Sequence, residues 1–227
     1  MISIVIPVYN EASCLPRTLE GLQRQQGSFE AILVDGESTD STTTVAGKYP
    51  FVQLVTSPRG RGKQMNAGAR QARGEFLLFL HADTQLPPQI IAKLNALEND
   101  PSCLAGGFHQ RFDDAHPALR LLSWLHNFRA ASSRLFYGDQ AVFVRRALFW
   151  ELGGYRESGV MEDVDLGIRL LKRARPLFLT DTVCVAARKF RALGVWRGFF
   201  QVLRLFIAYN WFPKAVSGKE IFFGDYR

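Results

Sequence analysis

The sequence predicts an α/β fold in which a mainly parallel sheet is flanked by helices. Short apolar runs alternate with segments whose apolar residues recur at helical spacing, and this alternation favours parallel strands joined by right-handed crossovers. A chain of 227 residues can bury one sizeable core, and no shift in composition marks a linker. We therefore expect one domain with a C-terminal appendage.

The first half of the chain supplies four predicted strands. The first begins at Ile2, is rich in β-branched residues and stops near Pro7, while the fourth is a run of five apolar residues at 76–80, typical of a strand buried on both faces. The second and third cover residues 31–36 and 51–55. Helices are expected between them, around residues 15–22, 45–46 and 63–73.

The second half continues this pattern less regularly. Helices are predicted over residues 90–97, 118–132 and 162–173, and strands over residues 103–112, 141–144 and 182–186. An aromatic amphipathic tail follows. Its segment 199–212 is too short to cross a bilayer, and the opening of the chain lacks the pattern of a secretory signal.

The net charge and the cysteine content indicate which class of binding partner and which cellular compartment to expect. The net charge of +7 favours an anionic partner such as a nucleotide or an acidic lipid surface, and no basic motif interleaved with aromatic residues supports nucleic-acid binding. Three widely spaced cysteines without a CxxC pair predict neither a disulfide framework nor a zinc site. A reduced, cytoplasmic location is therefore expected.

Three carboxylates follow three predicted parallel strands: Glu11, Asp35 and Asp83. Parallel strands bring their carboxyl ends to one edge of a sheet, where ligands bind in open α/β folds. Any one of these residues alone is more simply explained as a cap of the next helix or turn. Three carboxylates, each just after the end of a predicted parallel strand, favour a shared binding site.

Two further segments carry candidate chemistry. Arg61 and Lys63 lie in a glycine-containing loop before a helix, which suits either phosphate contact or a solvated basic loop, and Gln64 rules out a P-loop. Asp163, at the first turn of a predicted helix, is either a proton acceptor or a cap.

Four motifs in order now carry a family resemblance: residues 4–11, 34–40, 79–83 and 161–163. Together they resemble glycosyltransferase family 2, the inverting nucleotide-sugar transferases with the Rossmann-like A-type fold. The resemblance covers residues 1–190 as a catalytic domain and leaves residues 191–227 as an amphipathic helix and tail.

The resemblance implies roles for individual residues. It places the nucleotide on the first two motifs, a divalent Mg²⁺ or Mn²⁺ on Asp83, and the catalytic base at Asp163 beside Glu162. The loop at Gly138, Asp139 and Gln140 corresponds to the sugar and acceptor side. The implied nucleotide-binding residues are Pro7, Tyr9, Glu11, Asp35, Gly36 and Ser38, joined by Arg61 and Lys63.

The chain departs from the family pattern at two places. His81 stands where the metal motif usually has an aspartate, and it is either a metal ligand that favours manganese or a structural histidine. The QxxRW motif of processive synthases is absent. Arg188 and Lys189 stand near its place and are expected to neutralise the departing diphosphate, so single-sugar transfer is the preferred interpretation.

The expected activity is transfer of one sugar, with inversion, from a nucleotide-diphosphate sugar to an acceptor hydroxyl. One alternative is a nucleotide-sugar-binding protein that has lost its metal chemistry at His81. A sugar nucleotidyltransferase is disfavoured because its glycine-rich signature is missing. The tail at 199–212 suits a membrane interface, with a lipid-linked acceptor at the inner face of the membrane, but docking on the core or on a second subunit of a homodimer explains it equally well.

Overall fold

A computed structural model describes residues 1–157, 161–201 and 204 of the chain. Within this part, eight strands form one sheet in the order β3-β2-β1-β4-β7-β6-β8-β5. The strands are β1 (Ile2–Val8), β2 (Phe29–Asp35), β3 (Val52–Thr56), β4 (Phe76–Phe79), β5 (Thr84–Gln85), β6 (Ala105–Phe112), β7 (Phe143–Arg145) and β8 (Leu177–Val185).

Helices cover both faces of this sheet. A 3-10 helix, Gly138–Gln140, precedes β7, and residues 195–201 are also helical. The α-helices are α1 (Leu15–Gln23), α2 (Thr42–Ala46), α3 (Arg61–Gln71), α4 (Ile90–Leu97), α5 (Pro117–Ser133), α6 (Arg146–Glu151), α7 (Glu162–Leu171) and α8 (Arg188–Leu193).

The first half of the sheet is parallel, as the sequence predicts. β1 pairs with β2 on one side and β4 on the other, and β2 pairs with β3. The register sets Val8 opposite Asp35, so the carboxyl ends of β1 and β2 lie at the same edge. The α/β fold class with flanking helices is thus confirmed.

The second half of the sheet is mixed. β7 runs antiparallel between β4 and β6, β8 is parallel to β6, and β5 is antiparallel to β8. Sequence reasoning missed β5, α6 and α8, and began the last strand at residue 182 instead of Leu177. The part of β8 that was missed is largely half-exposed. Its pairing with β6 also shifts register between Phe108 and His109. This segment therefore lacks the clear alternation of apolar and polar residues by which a strand is recognised.

The side chains of β1 divide the core into two layers. Ile2, Ile4 and Ile6 pack on one face of the sheet with α1 and α4, whereas Val5 packs on the other face with α3. Alternate residues of a strand point to opposite faces, so a fully apolar strand is required where both faces are covered.

Helix α3 lies unusually close to the sheet at Gly68. A Cβ at this position would lie 2.4 Å from Val5 Cγ1 and 2.8 Å from Val34 Cγ2. Only glycine allows this approach, and it fixes the height of α3 over β1 and β2. The N-terminus of α3 is thereby held at the carboxyl edge of the sheet.

Asn66 in α3 holds the segment that leads into α7. Its buried side-chain amide donates to the carbonyl of Tyr155 (2.8 Å) and accepts from the Tyr155 amide (2.9 Å). Asn66→Ala leaves both backbone groups unpaired and is expected to lower the free energy of unfolding by about 3 kcal/mol. Urea denaturation tests this, with Gln71→Ala at the exposed end of the same helix as the control. A loss no larger than in the control would contradict this role.

The predicted tail lies mostly outside the described residues, which include only 199–201 and 204 of the segment 199–212. Among the described residues, no helix combines the length and the hydrophobicity needed to cross a bilayer.

Candidate active site

Glu11 and Asp83 lie at one cleft, at the edge where β1 and β4 end. Asp35, at the end of β2, lies opposite Val8 of β1 but is buried, and it is not among the residues that line the cleft. The structure therefore brings two of the three predicted carboxylates, Glu11 and Asp83, to the cleft itself. The cleft is lined by Pro7, Val8, Tyr9, Glu11, Arg59, Gly60, Arg61, Gln64, His81, Ala82, Asp83 and Lys189.

Asp35 is held by the turn that follows β2. Its Oδ2 accepts a hydrogen bond from the Ser38 amide (3.1 Å), while its buried Oδ1 has no partner among the described residues. The side chain of Gln64 donates to the carbonyls of Val8 and Val34 and ties the two strand ends together. It also packs directly against Gly36, where a Cβ would approach its amide within 2.8 Å.

Tyr9 forms an aromatic wall of the cleft. The guanidinium carbon of Arg59 lies 4.0 Å from the centre of the Tyr9 ring, in cation–π geometry. Ser38 is held nearby because its Oγ accepts from the Asn10 amide (2.9 Å). This part of the cleft therefore offers an aromatic ring and a cation side by side.

Arg61 and Lys63, the two cations of the basic loop that were predicted to bind the nucleotide, differ in position. Helix α3 begins at Arg61, two residues before the predicted start, after Gly60 with φ of 140°. Arg61 lines the cleft and forms an ion pair with Glu162, and its Nη2 lies 3.8 Å from Asp163 Oδ2. Lys63 is absent from the cleft lining, and its aliphatic stem lies near Gly60.

Arg188, on α8, neutralises the two carboxylates of the cleft. It forms an ion pair with Glu11, and its Nε lies 3.4 Å from Asp83 Oδ2. Asp113 holds the start of α8 by accepting from the Ala187 amide (2.8 Å). Lys189 is exposed and also lines the cleft, so both predicted cations reach the candidate site.

Asp83 and His81 are the candidate metal ligands near the end of β4, and both line the cleft. Among the described residues, no three His, Cys, Asp or Glu side chains cluster closely enough to hold a metal ion by themselves. Magnesium and manganese bind through one or two protein carboxylates when phosphates and water complete the shell, which Asp83 can provide. Burial and the charge of Arg61 lower the pKa of His81 to about 4, so its imidazole is neutral at pH 7 and keeps a lone pair.

Asp163 is held at the first turn of α7 with its carboxylate only 10% exposed. Its Oδ2 accepts from the Gly138 amide (2.7 Å) and its Oδ1 from the Val164 amide (2.8 Å). Burial raises the pKa of Asp163 above the usual aspartate value; Arg61 opposes this and Glu162 adds to it. A carboxylate with a raised pKa is a stronger base, which suits proton abstraction.

The Gly138–Gln140 turn packs against both Asp163 and His81. A Cβ on Gly138 would lie 2.7 Å from His81 Nε2 and 3.4 Å from Asp163 Oδ2. Asp139 Oδ2 lies 3.4 Å from His126 Nδ1, in α5. Burial would raise the pKa of Asp139, but His126 and His81 hold it below its usual range.

Gln140 is structural in this fold. It is fully buried, its Oε1 accepts from Arg129 (3.0 Å) and from the Tyr137 amide (3.2 Å), and its Nε2 donates to Phe108 O (3.3 Å). These bonds fix the turn that carries Gly138 and Asp139.

Sequence reasoning missed several residues of the cleft and its walls. Arg59 belongs to the basic loop and was detectable there, but Gln64 and His126 sit in ordinary helical patterns. Cys14 donates to Glu11 Oε2 (3.0 Å), and burial together with this bond raises the pKa of its thiol. No pattern in the sequence signals these contacts, because they depend on where helices dock.

Comparisons with known proteins identify the family. The glycosyl transferase family 2 model matches residues 3–152. A "PGL/p-HBAD biosynthesis glycosyltransferase" of Mycobacterium bovis is 32% identical over 214 residues, covering 86% of this chain and 78% of that protein. "Poly(ribitol-phosphate) beta-N-acetylglucosaminyltransferase TarS" of Staphylococcus aureus is 36% identical over 90 residues, covering 36% of this chain and 16% of TarS.

Solved structures share the fold. Residues 1–349 of S. aureus TarS in complex with UDP superpose with a TM-score of 0.66 at 20% identity, covering 82% of this chain and 60% of that one. The mannosyltransferase PcManGT of Pyrobaculum calidifontis, in complex with GDP-Man and Mn²⁺, gives 0.64 at 24% identity, covering 88% and 60%. This chain thus spans about three fifths of these structures, and the A-type fold is confirmed. Because the family match covers well over half of the sequence, the chain belongs to glycosyl transferase family 2.

Proposed function

We propose that the protein transfers a single sugar from a nucleotide-diphosphate sugar to an acceptor hydroxyl, with inversion at the anomeric carbon. The observation that carries the proposal is the arrangement around one cleft. Glu11 and Asp83 lie on its sheet edge, and Arg61 reaches from it to Asp163. A donor site and a general base are thereby adjacent.

The nucleotide binds where β1 and β2 end. Tyr9 and Arg59 offer a flat surface for the base, and the carboxylates of Glu11 and Asp35 can accept from ribose hydroxyls or ring N–H groups. Pro7 lines this part of the cleft, whereas Gly36 and Ser38 lie behind it, next to Gln64 and Asp35. Arg188 and Lys189 lie beside the carboxylates and neutralise the diphosphate, with Lys63 farther out.

Asp163 is the catalytic base. Its two backbone hydrogen bonds fix the carboxylate, and its raised pKa favours taking the acceptor proton as the hydroxyl attacks the anomeric carbon. Glu162 keeps Arg61 in place through their ion pair. Gly138 and Asp139 bound the sugar and acceptor side, supported by Gln140.

A divalent cation, Mg²⁺ or Mn²⁺, would be held by Asp83, with His81 as the second candidate ligand. When bound, such an ion stabilises negative charge on the leaving diphosphate. The related PcManGT structure contains Mn²⁺ with GDP-Man, and TarS has been solved with UDP and with UDP-GlcNAc. Uridine and guanosine diphosphate sugars are therefore the first donors to test.

In this proposal residues 1–190 are the catalytic domain and residues 191–227 are a separate C-terminal region, most of which lies outside the described residues. The acceptor is lipid-linked and the protein works in the cytoplasm, at the inner face of the membrane. The segment 199–212 contributes to membrane contact or to a homodimer.

Thermal shift tests the donor site without knowledge of the acceptor. UDP or GDP with Mn²⁺ is expected to raise the melting temperature, because a ligand that binds only the native state at about 100 times its Kd adds roughly 2.7 kcal/mol of stability. EDTA should reduce the shift. If no nucleoside diphosphate, with or without metal, raises the melting temperature, the proposed donor site is wrong.

The rival function is a binding protein of the same fold, favoured by His81 in the place of a metal-binding aspartate. It predicts the same thermal shift but no consumption of the donor. Release of nucleoside diphosphate in the presence of Mg²⁺ or Mn²⁺ would exclude this rival.

Gly138→Ala should damage the site without unfolding the protein. The added Cβ would lie 2.7 Å from His81 Nε2, so His81 or the Gly138 turn that bonds Asp163 must shift, and misplacing groups at a reaction centre by about 1 Å can cost roughly 100-fold in rate. We expect kcat/KM for nucleoside diphosphate release to fall by about that factor. Gly47→Ala is the control, because nothing lies nearer than 3.6 Å to a Cβ there. Equal rates for both variants would contradict the proposed packing of His81 and Asp163.

A further inference from the structure

Helix α5 exposes a stripe of large apolar side chains on its outer face. Leu121, Trp124 and Phe128 are 47%, 59% and 60% exposed and recur at helical spacing. The rings of Trp124 and Phe128 stack, with centroids 5.5 Å apart. The helix is therefore apolar on two sides, since its opposite face is buried through Leu119, Leu122 and Ala130.

A second exposed aromatic pair lies on the helical residues 195–201. Phe199 packs inward next to the buried face of α5, whereas Trp196 and Phe200 are 55% and 60% exposed and stack at 6.3 Å. The Trp196 ring contacts His116 at the N-terminus of α5 (5.6 Å). We call Leu121, Trp124, Phe128, Trp196 and Phe200 the aromatic face.

Unpaired cations accompany these side chains. Arg120 and Arg197 are exposed, adjoin Leu121 and Trp196 in the sequence, and have no carboxylate partner within residues 1–157, 161–201 and 204. The whole chain carries a net charge of +7. Aromatic rings with flanking arginines match a membrane surface, where rings insert at the headgroup level and arginines attract anionic phosphates.

The sequence beyond the described part continues this composition. Within ten positions of Arg204 it contains five large apolar residues and a lysine: Leu205, Phe206, Ile207, Trp211, Phe212 and Lys214. A second protein subunit would not need cations at the edge of the face, whereas an anionic bilayer does.

We infer that the aromatic face is a docking surface for a bilayer containing anionic phospholipids. The same helix reaches the acceptor side of the cleft, where His126 lies 3.4 Å from Asp139 and Arg129 stacks on Tyr137 at 3.5 Å. Docking through α5 therefore brings that side of the site close to lipid. The inference does not rest on sugar transfer, since vesicle binding needs neither donor nor acceptor.

Co-sedimentation of the full chain with vesicles tests it. The protein is expected to bind vesicles of phosphatidylglycerol and phosphatidylcholine, and to bind phosphatidylcholine alone much more weakly. Trp124→Ser/Phe128→Ser should abolish most binding. Arg120→Gln/Arg197→Gln should weaken binding to the anionic vesicles by about fivefold for each arginine removed.

Leu54→Ser/Leu177→Ser is the matched control, because these apolar residues are 45% and 37% exposed on strands outside the face. It should bind like the wild type, and circular dichroism melts should show that all variants are folded. Absence of wild-type binding to anionic vesicles would overturn the inference. So would unchanged binding by the serine variant, or a dimer in sedimentation velocity that this variant dissociates while vesicle binding is absent.

Discussion

Asp163→Asn is expected to lower kcat/KM by about 1,000-fold while leaving donor affinity nearly unchanged. Asparagine keeps the size of the side chain and can still accept from the Gly138 amide, but it cannot take a proton from the acceptor. Because Arg61 stays paired with Glu162, the fold of the cleft should persist. Nucleoside diphosphate release measures the rate, and thermal shift with nucleotide measures binding.

Asp165→Asn is the control for this substitution. Asp165 lies two residues farther along α7 and pairs with Arg169 and Arg156. It should retain wild-type activity, apart from a modest loss of stability. If Asp163→Asn is as active as this control, Asp163 is not the base.

The pH dependence follows from the same environment. Since burial raises the pKa of Asp163, the base is protonated at a higher pH than an ordinary aspartate. The rate should therefore fall as pH decreases, and this fall should occur at a higher pH than an ordinary aspartate would give. An acid limb at the ordinary aspartate value would contradict this environment.

Asp83→Asn is expected to weaken binding of Mn²⁺ in the presence of nucleoside diphosphate by about 100-fold and to reduce kcat/KM by a similar factor or more. Asp83 offers a carboxylate at the cleft, and an amide oxygen is a much weaker ligand for a hard cation. Titration of Mn²⁺ followed by electron paramagnetic resonance measures the binding independently of turnover.

Asp181→Asn is the matched control, because Asp181 also pairs with a cation, Lys93, but lies away from the cleft. Its Mn²⁺ affinity should equal that of the wild type. His81→Ala in the same titration separates the two interpretations of His81: a ligand lowers affinity when removed, and a structural histidine does not. Wild-type Mn²⁺ affinity in Asp83→Asn would contradict the proposed metal site.

The predictable part of the fold is the part set by local pattern. Apolar runs without alternation identified β1, β2 and β4, and parallel pairing then placed Glu11 and Asp83 at one edge. The parallel pairing of these strands could be predicted without knowledge of tertiary contacts, because consecutive βα units favour neighbouring parallel strands. The three residues of β7, by contrast, contain nothing that indicates their antiparallel insertion between β4 and β6.

The unpredicted part of the site depends on long-range docking. Arg188 reaches Glu11 across 177 positions of sequence, and Arg61 reaches Glu162 across 101. The basic composition near Arg188 predicted a cation at the diphosphate, but not its pairing with two carboxylates. Such ion pairs form because buried or half-buried charges require partners of opposite charge. Which charges meet depends on how α3, α7 and α8 pack, and no local sequence motif indicates it.

Donor turnover is the decisive measurement for inverting sugar transfer by this protein. The protein would be incubated with UDP- and GDP-sugars and Mn²⁺, nucleoside diphosphate quantified, and the anomeric configuration of the released or transferred sugar determined by nuclear magnetic resonance before mutarotation. We expect that one donor is consumed, that nucleoside diphosphate and sugar appear in equal amounts, and that the configuration is inverted. A donor that binds but stays intact, or a product with retained configuration, would contradict it.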